Sequence, residues 1–381
     1  MLAILEGESR MTISVCMIVK NEERVLKRCL DSICDLVDEI VIVDTGSTDS
    51  TKEIASAYTN HIYDFEWVDD FSAARNFSFS KCSMDYIYVA DADEYLDDNN
   101  RLQFKLLKDN LFPEIEIVQM MYETVSNDTV LNVFREYRPK LFKRLREFTW
   151  INPVHEVVRL DPVVFDSDII VTHAPEGNHA KRDFSIFEKE ISAGYFLSDD
   201  LIKMYACELY KNGTLEDFEK ASSYFEPISD LDKLRNYDGE IAFSTKDYYS
   251  LIISSKYLRL KGDEGFEAYA LGVNELFENT NSEICYELGE YYLDLEEYDK
   301  SMRFFNIARN AHSALDVHSS GDYAIKKLIT CCEKVISKYE NYKTLNGSDE
   351  KMEALCSEYN SLIEKYKIEL SEWKLPEEAA P

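Results

Sequence analysis

The sequence predicts a mostly parallel α/β domain over residues 12–184, followed by an all-α domain of helical repeats over residues 185–381, with residues 1–11 as an N-terminal extension. Three observations carry that expectation. Short apolar runs of strand length alternate with amphipathic segments as far as about residue 100, the pattern of a parallel sheet covered on both faces. From about Asp183 the strand pattern stops and helical spacing takes over. Gly (12) and Pro (8) are scarce in 381 residues, which suits long helices and disfavours an all-β chain.

The strands of the first domain are read in order. Ile13 to Val19 is a continuous β-branched run, and Glu22 to Cys34 places Val25, Leu26, Cys29, Leu30 and Ile33 on one helical face. Glu39 to Val43 is a second buried strand. Thr45 to Ser50 is a turn rich in hydroxyls, followed by a helix to about Tyr58. His61 to Phe65 predicts a third strand, Phe71 to Cys82 a helix capped by Asp70 or Ser72, and Tyr86 to Ala90 a fourth strand. Beyond it, Ile115–Tyr122, Val130–Phe134, Arg138–Phe142 and Val154–Leu160 read as antiparallel strands and loops without intervening helices. In parallel sheets, ligands sit outside the carboxyl ends of the strands. The polar clusters Lys20-Asn21-Glu22, Asp44 and Asp91/Asp93 all fall at such ends.

In the second domain, residues 284–308 fit the ~34-residue tetratricopeptide pattern. Gly289 takes the small position, Ser301 stands where the pattern has Ala, Phe305 is the large aromatic, and Ala308 closes the motif. Tyr205–Phe225 and Tyr248–Phe277 read as neighbouring helix pairs, with Tyr323–Tyr342 and Glu350–Trp373 as final capping helices. A plain helical bundle is the alternative. Stacked helix pairs make concave surfaces that grip peptides or a second copy of the chain, so a peptide or protein and a homodimer through this domain are both expected partners.

Composition narrows the function. With 42 Lys+Arg against 73 Asp+Glu, the formal net charge is −31, which repels phosphate backbones and anionic lipid surfaces. Nucleic acid is therefore not an expected partner. No stretch approaches the ~18 apolar residues of a membrane span, and the N-terminus lacks a secretion signal's basic start. Nine scattered cysteines without a C-x-x-C pair argue against a zinc ribbon. The expectation is a cytoplasmic protein with reduced thiols.

The chemistry-bearing signal is Asp91-Ala92-Asp93. Two carboxylates on alternate residues, just past the buried strand YIYVA, suit a hard divalent cation such as Mg²⁺ or Mn²⁺ that shares a diphosphate. A solvated acidic turn is the alternative. The segments Ser14 to Glu22, Glu39 to Asp49, Asp70 to Asn76 and Asp91 to Glu94, in this order and spacing, resemble the family 2 glycosyltransferases of the GT-A fold. With the helical domain and Pro153-Val-His-Glu156, the chain is also similar to the bacteriocin peptide glycosyltransferases of the sublancin type.

That resemblance implies an inverting, metal-dependent enzyme moving a hexose from a UDP-sugar, UDP-glucose first, to Cys or Ser/Thr of a peptide such as a bacteriocin precursor. It implies that Asp44 contacts the uracil, that Asn21 and Glu22 line the nucleoside pocket, and that Arg75 contacts the nucleotide. Asp91 would mark the ribose side and Asp93 the metal, with His155 as a further metal ligand. From the residues alone, Asp44 could instead cap a helix, Glu22 could serve as a first-turn acid, and Arg75 could pair with Asp69 or Asp70. Glu156 is the candidate general base and Glu94 its competitor. His173 and His179 are read as structural or loop residues. A glycosyltransferase of cell-surface glycans and a non-catalytic repeat adaptor are the rival functions.

Overall fold

A computed structural model describes residues 11–125, 134–145, 150–151, 157–175, 180–234, 243–347 and 349–374. These fall into two compact units, one up to residue 175 and one from residue 180 onward.

The first unit is built on β1 (Ile13–Val19), α1 (Leu26–Ile33), β2 (Glu39–Asp44), α2 (Thr51–Ser56), β3 (Ile62–Asp64), α3 (Phe71–Lys81) and β4 (Tyr86–Val89). It continues through β5 (Glu94–Tyr95), α4 (Asp98–Asn110), β6 (Ile117–Thr124), β7 (Arg135–Lys143), the short pair β8 (Trp150–Ile151) and β9 (Val157–Val158), and β10 (Val164–His173). Eight strands form one sheet in the order β3-β2-β1-β4-β7-β6-β10-β5. β3, β2, β1 and β4 are mutually parallel; β7 runs against β4 and β6, and β10 lies parallel to β6. The carboxyl ends of β1, β2, β4, β6 and β10 therefore share one edge.

The run in β1 is continuous because both of its faces are covered. Ile13, Val15, Met17 and Val19 pack in the cluster that holds Leu26, Cys29, Leu30 and Ile33 of α1 and Phe104 of α4. Cys16 packs in a second cluster with Val41, Cys82 and Ile87. Each large α1 side chain so buried contributes about 1.5–3 kcal/mol. Asp70 caps α3, accepting from the Ser72 and Ala73 amides at 2.7 and 3.1 Å.

Two elements depart from the sequence expectation. α4 fills the stretch between Ala90 and Ile115, to which the sequence reading assigns no element: it is polar at its start, and Leu102 and Leu106 on it are about half exposed, so its helical stripe is weak. β10 was not anticipated at all, and it pairs parallel to β6 where an antiparallel neighbour was expected. Its Asp166-Ser167-Asp168 stretch coincides with a shift of register between Asp166 and Ile170, which breaks the strand pattern. Residues 130–133, with which the expected strand at Val130 begins, and 152–156 lie outside the described residues.

The second unit comprises α5 (Ala180–Ser192), α6 (Asp199–Asn212), α7 (Leu215–Ala221), α8 (Thr245–Lys261), α9 (Phe266–Leu276), α10 (Ser282–Asp294), α11 (Tyr298–Asn310), α12 (Asp322–Asn346) and α13 (Glu350–Glu372). α10 and α11 are the predicted repeat. A Cβ on Gly289 would stand 2.6 Å from the Phe305 ring, so only glycine lets these helices approach. The Ser301 hydroxyl donates to the Gly289 carbonyl at 2.9 Å, which satisfies a polar group at a position the repeat fills with Ala. Beneath α10, the buried Glu287 carboxylate accepts from the Tyr210 hydroxyl at 2.8 Å and pairs with Arg259, with Lys256 at 3.9 Å. Arg259 and Lys256 outweigh the effect of burial and hold the Glu287 carboxyl below its ordinary value.

Candidate functional site

The site lies at the carboxyl edge of the first unit's sheet. Asp44 ends β2 with a fully buried side chain. Its Oδ1 accepts from the Gly46 and Ser47 amides, both at 2.9 Å, an arrangement that needs Gly46 at φ 102°. Its Oδ2 is buried and has no hydrogen-bond partner among the described residues. Burial pushes the Asp44 carboxyl up, but the Ser47 hydroxyl and amide, the Gly46 amide and Lys52 outweigh it and hold the group below its usual value. A buried acceptor left open in this way is costly unless a ligand donor meets it.

Asn21 and Glu22 follow β1 and brace the neighbouring loop. The Asn21 Oδ1 accepts from the Thr48 amide at 2.8 Å, its own amide donates to Ser47 Oγ at 2.9 Å, and the Glu22 amide donates to Thr51 Oγ1 at 2.7 Å. Asn21 takes φ 57°, a left-handed conformation that Asn tolerates.

Asp91 and Asp93 follow β4. Arg75, on α3, approaches Asp91 with 3.4 Å between NH2 and Oδ1, and its NH1 is buried without a partner among the described residues. The ion pair considered with Asp69 or Asp70 is thus made with Asp91. Burial acts to raise the Asp91 carboxyl, and the charges of Lys140 and Arg75, with the Arg75 hydrogen bond and His173, bring it below the ordinary value instead. Asp93 Oδ2 lies 3.1 Å from Nε2 of His173, the last residue of β10. The His173 ring stacks on Tyr122 at 5.1 Å, and the Arg138 guanidinium sits 3.7 Å from the centre of that same ring. Arg28 of α1 donates to the Asp93 and Ala174 carbonyls at 3.2 and 3.0 Å, tying the Asp93 turn to the end of β10.

His173, read from the sequence as a structural or loop residue, stands against Asp93. It became visible only with β10, whose carboxyl end shares an edge with Asp44 and Asp91. His155, Glu156 and His179 lie outside the described residues. Glu94 does not fit the role of base: it is 2% exposed and both of its oxygens accept from Lys140, at 2.7 and 2.8 Å, so no acceptor reaches it. Among the described residues no three His, Cys, Asp or Glu side chains form a ready-made metal ligand set; at this sheet edge Asp93 and His173 meet as a pair. All nine cysteines are free thiols, most of them buried. No described helix is long and apolar enough to cross a membrane.

Residues 14–157 match the model of glycosyl transferase family 2. The match covers much of the first unit and a little over a third of the chain. The unit's parallel core strands, with acids at their carboxyl ends, agree with the arrangement that the sequence resemblance implies. Curated relatives of the chain include the following three. A TPR repeat-containing protein of Synechococcus elongatus is 34% identical over 40% of this chain and 36% of its own length. The SPbeta prophage-derived glycosyltransferase SunS of Bacillus subtilis is 29% identical over 42% of this chain and 36% of its own length. The lipopolysaccharide core biosynthesis glycosyltransferase LpsC of Rhizobium meliloti is 32% identical over 29% of this chain and 40% of its own length. The chain thus spans little more than a third of the length of the first relatives it matches. Among solved structures, glucosyl-3-phosphoglycerate synthase from Mycobacterium tuberculosis matches at 17% identity over 50% of this chain and 81% of that one, with a TM-score of 0.34, too low to bear on the site.

Proposed function

We propose that the chain is a metal-dependent glycosyltransferase that transfers a hexose from a UDP-sugar, UDP-glucose first, to a thiol or hydroxyl of a peptide, with inversion. The observation that carries the donor half is the open, buried Oδ2 of Asp44 on the sheet edge that also bears Asp91, Asp93 and His173. Uracil offers an N3–H donor, which an ionised, partnerless carboxylate oxygen accepts well. Arg75 neutralises Asp91 and keeps its NH1 for a further acceptor, which a diphosphate oxygen supplies.

The residues present suit a hard divalent cation. Asp93 supplies carboxylate oxygen and His173 an imidazole nitrogen, a donor set acceptable to Mn²⁺ and, through the carboxylate, to Mg²⁺. Bound there, the cation supplies Lewis-acid neutralisation of the charge that develops on the leaving diphosphate. In the transfer, the acceptor sulfur or oxygen forms a bond to the anomeric carbon as the bond to the UDP oxygen breaks. The acceptor's proton passes to a base, for which Glu156 remains the candidate. A thiol, with an ordinary pKa of about 8.5, needs less help from that base than a hydroxyl.

The helical unit is the proposed acceptor-binding element, since helix-pair repeats present long surfaces to extended or helical segments. A glycan acceptor is the second reading, favoured by the name of the LpsC relative. Isothermal titration with UDP, with and without Mn²⁺, tests the donor half. A functional site binds UDP and binds it more tightly with Mn²⁺, whereas a repeat adaptor that has lost catalysis binds neither.

A further inference from the structure

Glu94 and Lys140 are unused by the chemistry above, yet they lie directly beneath it. We propose that they act as a positioning pair, holding the turn from Asp91 to Asp93 in the conformation that the cation and diphosphate require. The inference rests on the metal-dependent reading of the site.

The pair is buried, with side-chain exposures of 5% for Lys140 and 2% for Glu94. Such burial is costly unless both ions are well bonded, and apolar residues of similar size serve stability as well. Here the bonding is directed at the turn. The Lys140 ammonium donates to both Glu94 oxygens at 2.8 and 2.7 Å, and Glu94 Oε2 also accepts from the Asp91 amide at 3.2 Å. The turn is thereby held at its two ends, at the Asp91 amide by Glu94 and at the Asp93 carbonyl by Arg28 and the Ala174 amide.

The same ion pair links the strands that deliver the site. Lys140 lies on β7, which pairs with β4, the strand that ends at the turn. Glu94 lies on β5, in register with His173 of β10. The ammonium also faces Tyr88 at 5.7 Å and Tyr122 at 6.0 Å, and Tyr122 is the ring on which His173 stacks. Asp91, Asp93 and Glu94 place three carboxylates within four residues, and Lys140 is a fixed cation among them that requires no bound metal. Groups that orient metal ligands from behind in this way typically control metal affinity about 10- to 100-fold.

The test uses the full chain and three variants: Lys140→Met, Glu94→Gln and the double variant, titrated with UDP in EDTA and in Mn²⁺ and followed by thermal melting. Either single variant leaves one partner buried without its mate and melts early. The double variant buries no charge and melts close to wild type, so it carries the decision. The expected result is metal-free UDP affinity as in wild type, set by the Asp44 pocket, with the gain from Mn²⁺ reduced about 10- to 100-fold. A double variant that keeps the full Mn²⁺ gain overturns the positioning role alone. A wild-type chain that shows no Mn²⁺ gain overturns this inference together with the metal-dependent reading.

Discussion

The Asp44→Asn substitution gives the sharpest test of the donor pocket. Asp44 Oδ1 accepts from two amides at 2.9 Å, so the replacement must keep its own oxygen there and turn its NH₂ into the position of Oδ2. That position is buried and open in the wild-type chain. The change therefore exchanges an acceptor for a donor at one fixed point, with little effect on the loop. A hydrogen bond to a charged group is worth about 1.5–3 kcal/mol. At about 1.4 kcal/mol per decade, UDP affinity falls about 10- to 150-fold. Cytosine carries an acceptor at N3, so the variant also narrows the preference for UDP over CDP. Titration calorimetry with both nucleotides reads the two effects. Unchanged UDP affinity with an unchanged UDP-to-CDP ratio refutes the contact between Asp44 and the base.

The remaining predictions concern stability and pH. Gly289→Ala drives a methyl into the Phe305 ring; overpacking costs about 1–3 kcal/mol against a helix-propensity gain of about 1 kcal/mol, and denaturant melts should show a net loss. Equal or greater stability would mean the two helices can move apart freely. Glu287→Ala leaves Arg259 and Lys256 without their buried counter-charge and costs about 3–5 kcal/mol in the same assay, a loss under 1 kcal/mol being contrary to the structure. The Asp44 carboxyl is depressed in the fold, so its contribution is fully present above its ordinary value of about 4 and is lost only as pH falls through the depressed value. Affinity for uridine, which has no titrating phosphate, therefore stays flat from pH 7 to about pH 5, and a decline over that interval contradicts the assignment.

Much of the candidate site's placement was legible because it lies in contiguous motifs. The apolar runs of β1, β2 and β4 needed both faces covered, and the acids that follow them fall on one edge by topology alone. The Gly289 and Phe305 positions were legible for a similar reason, since one close helix contact demands a small residue opposite a large one. His173 and Lys140 were not. His173 ends a strand whose Asp166-Ser167-Asp168 stretch interrupts the alternation, and its meeting with Asp93 depends on a pairing 80 residues away in sequence. Lys140 reads as one more cation in a charged segment, and only its burial against Glu94 shows it to be internal. Glu94 misled for the opposite reason: its place beside Asp93 in sequence suggested access to solvent, whereas the turn directs it inward.

The central claim is that this sheet edge activates a UDP-sugar with a metal held by Asp93 and His173. Release of UDP from UDP-glucose by the purified full chain, followed with Mn²⁺, with EDTA, and in Asp93→Ala and His173→Ala, tests it most directly. The account predicts turnover that requires the cation, collapses in Asp93→Ala and drops steeply in His173→Ala, while both variants melt as wild type. Turnover that persists in EDTA, or full activity in Asp93→Ala, would contradict it.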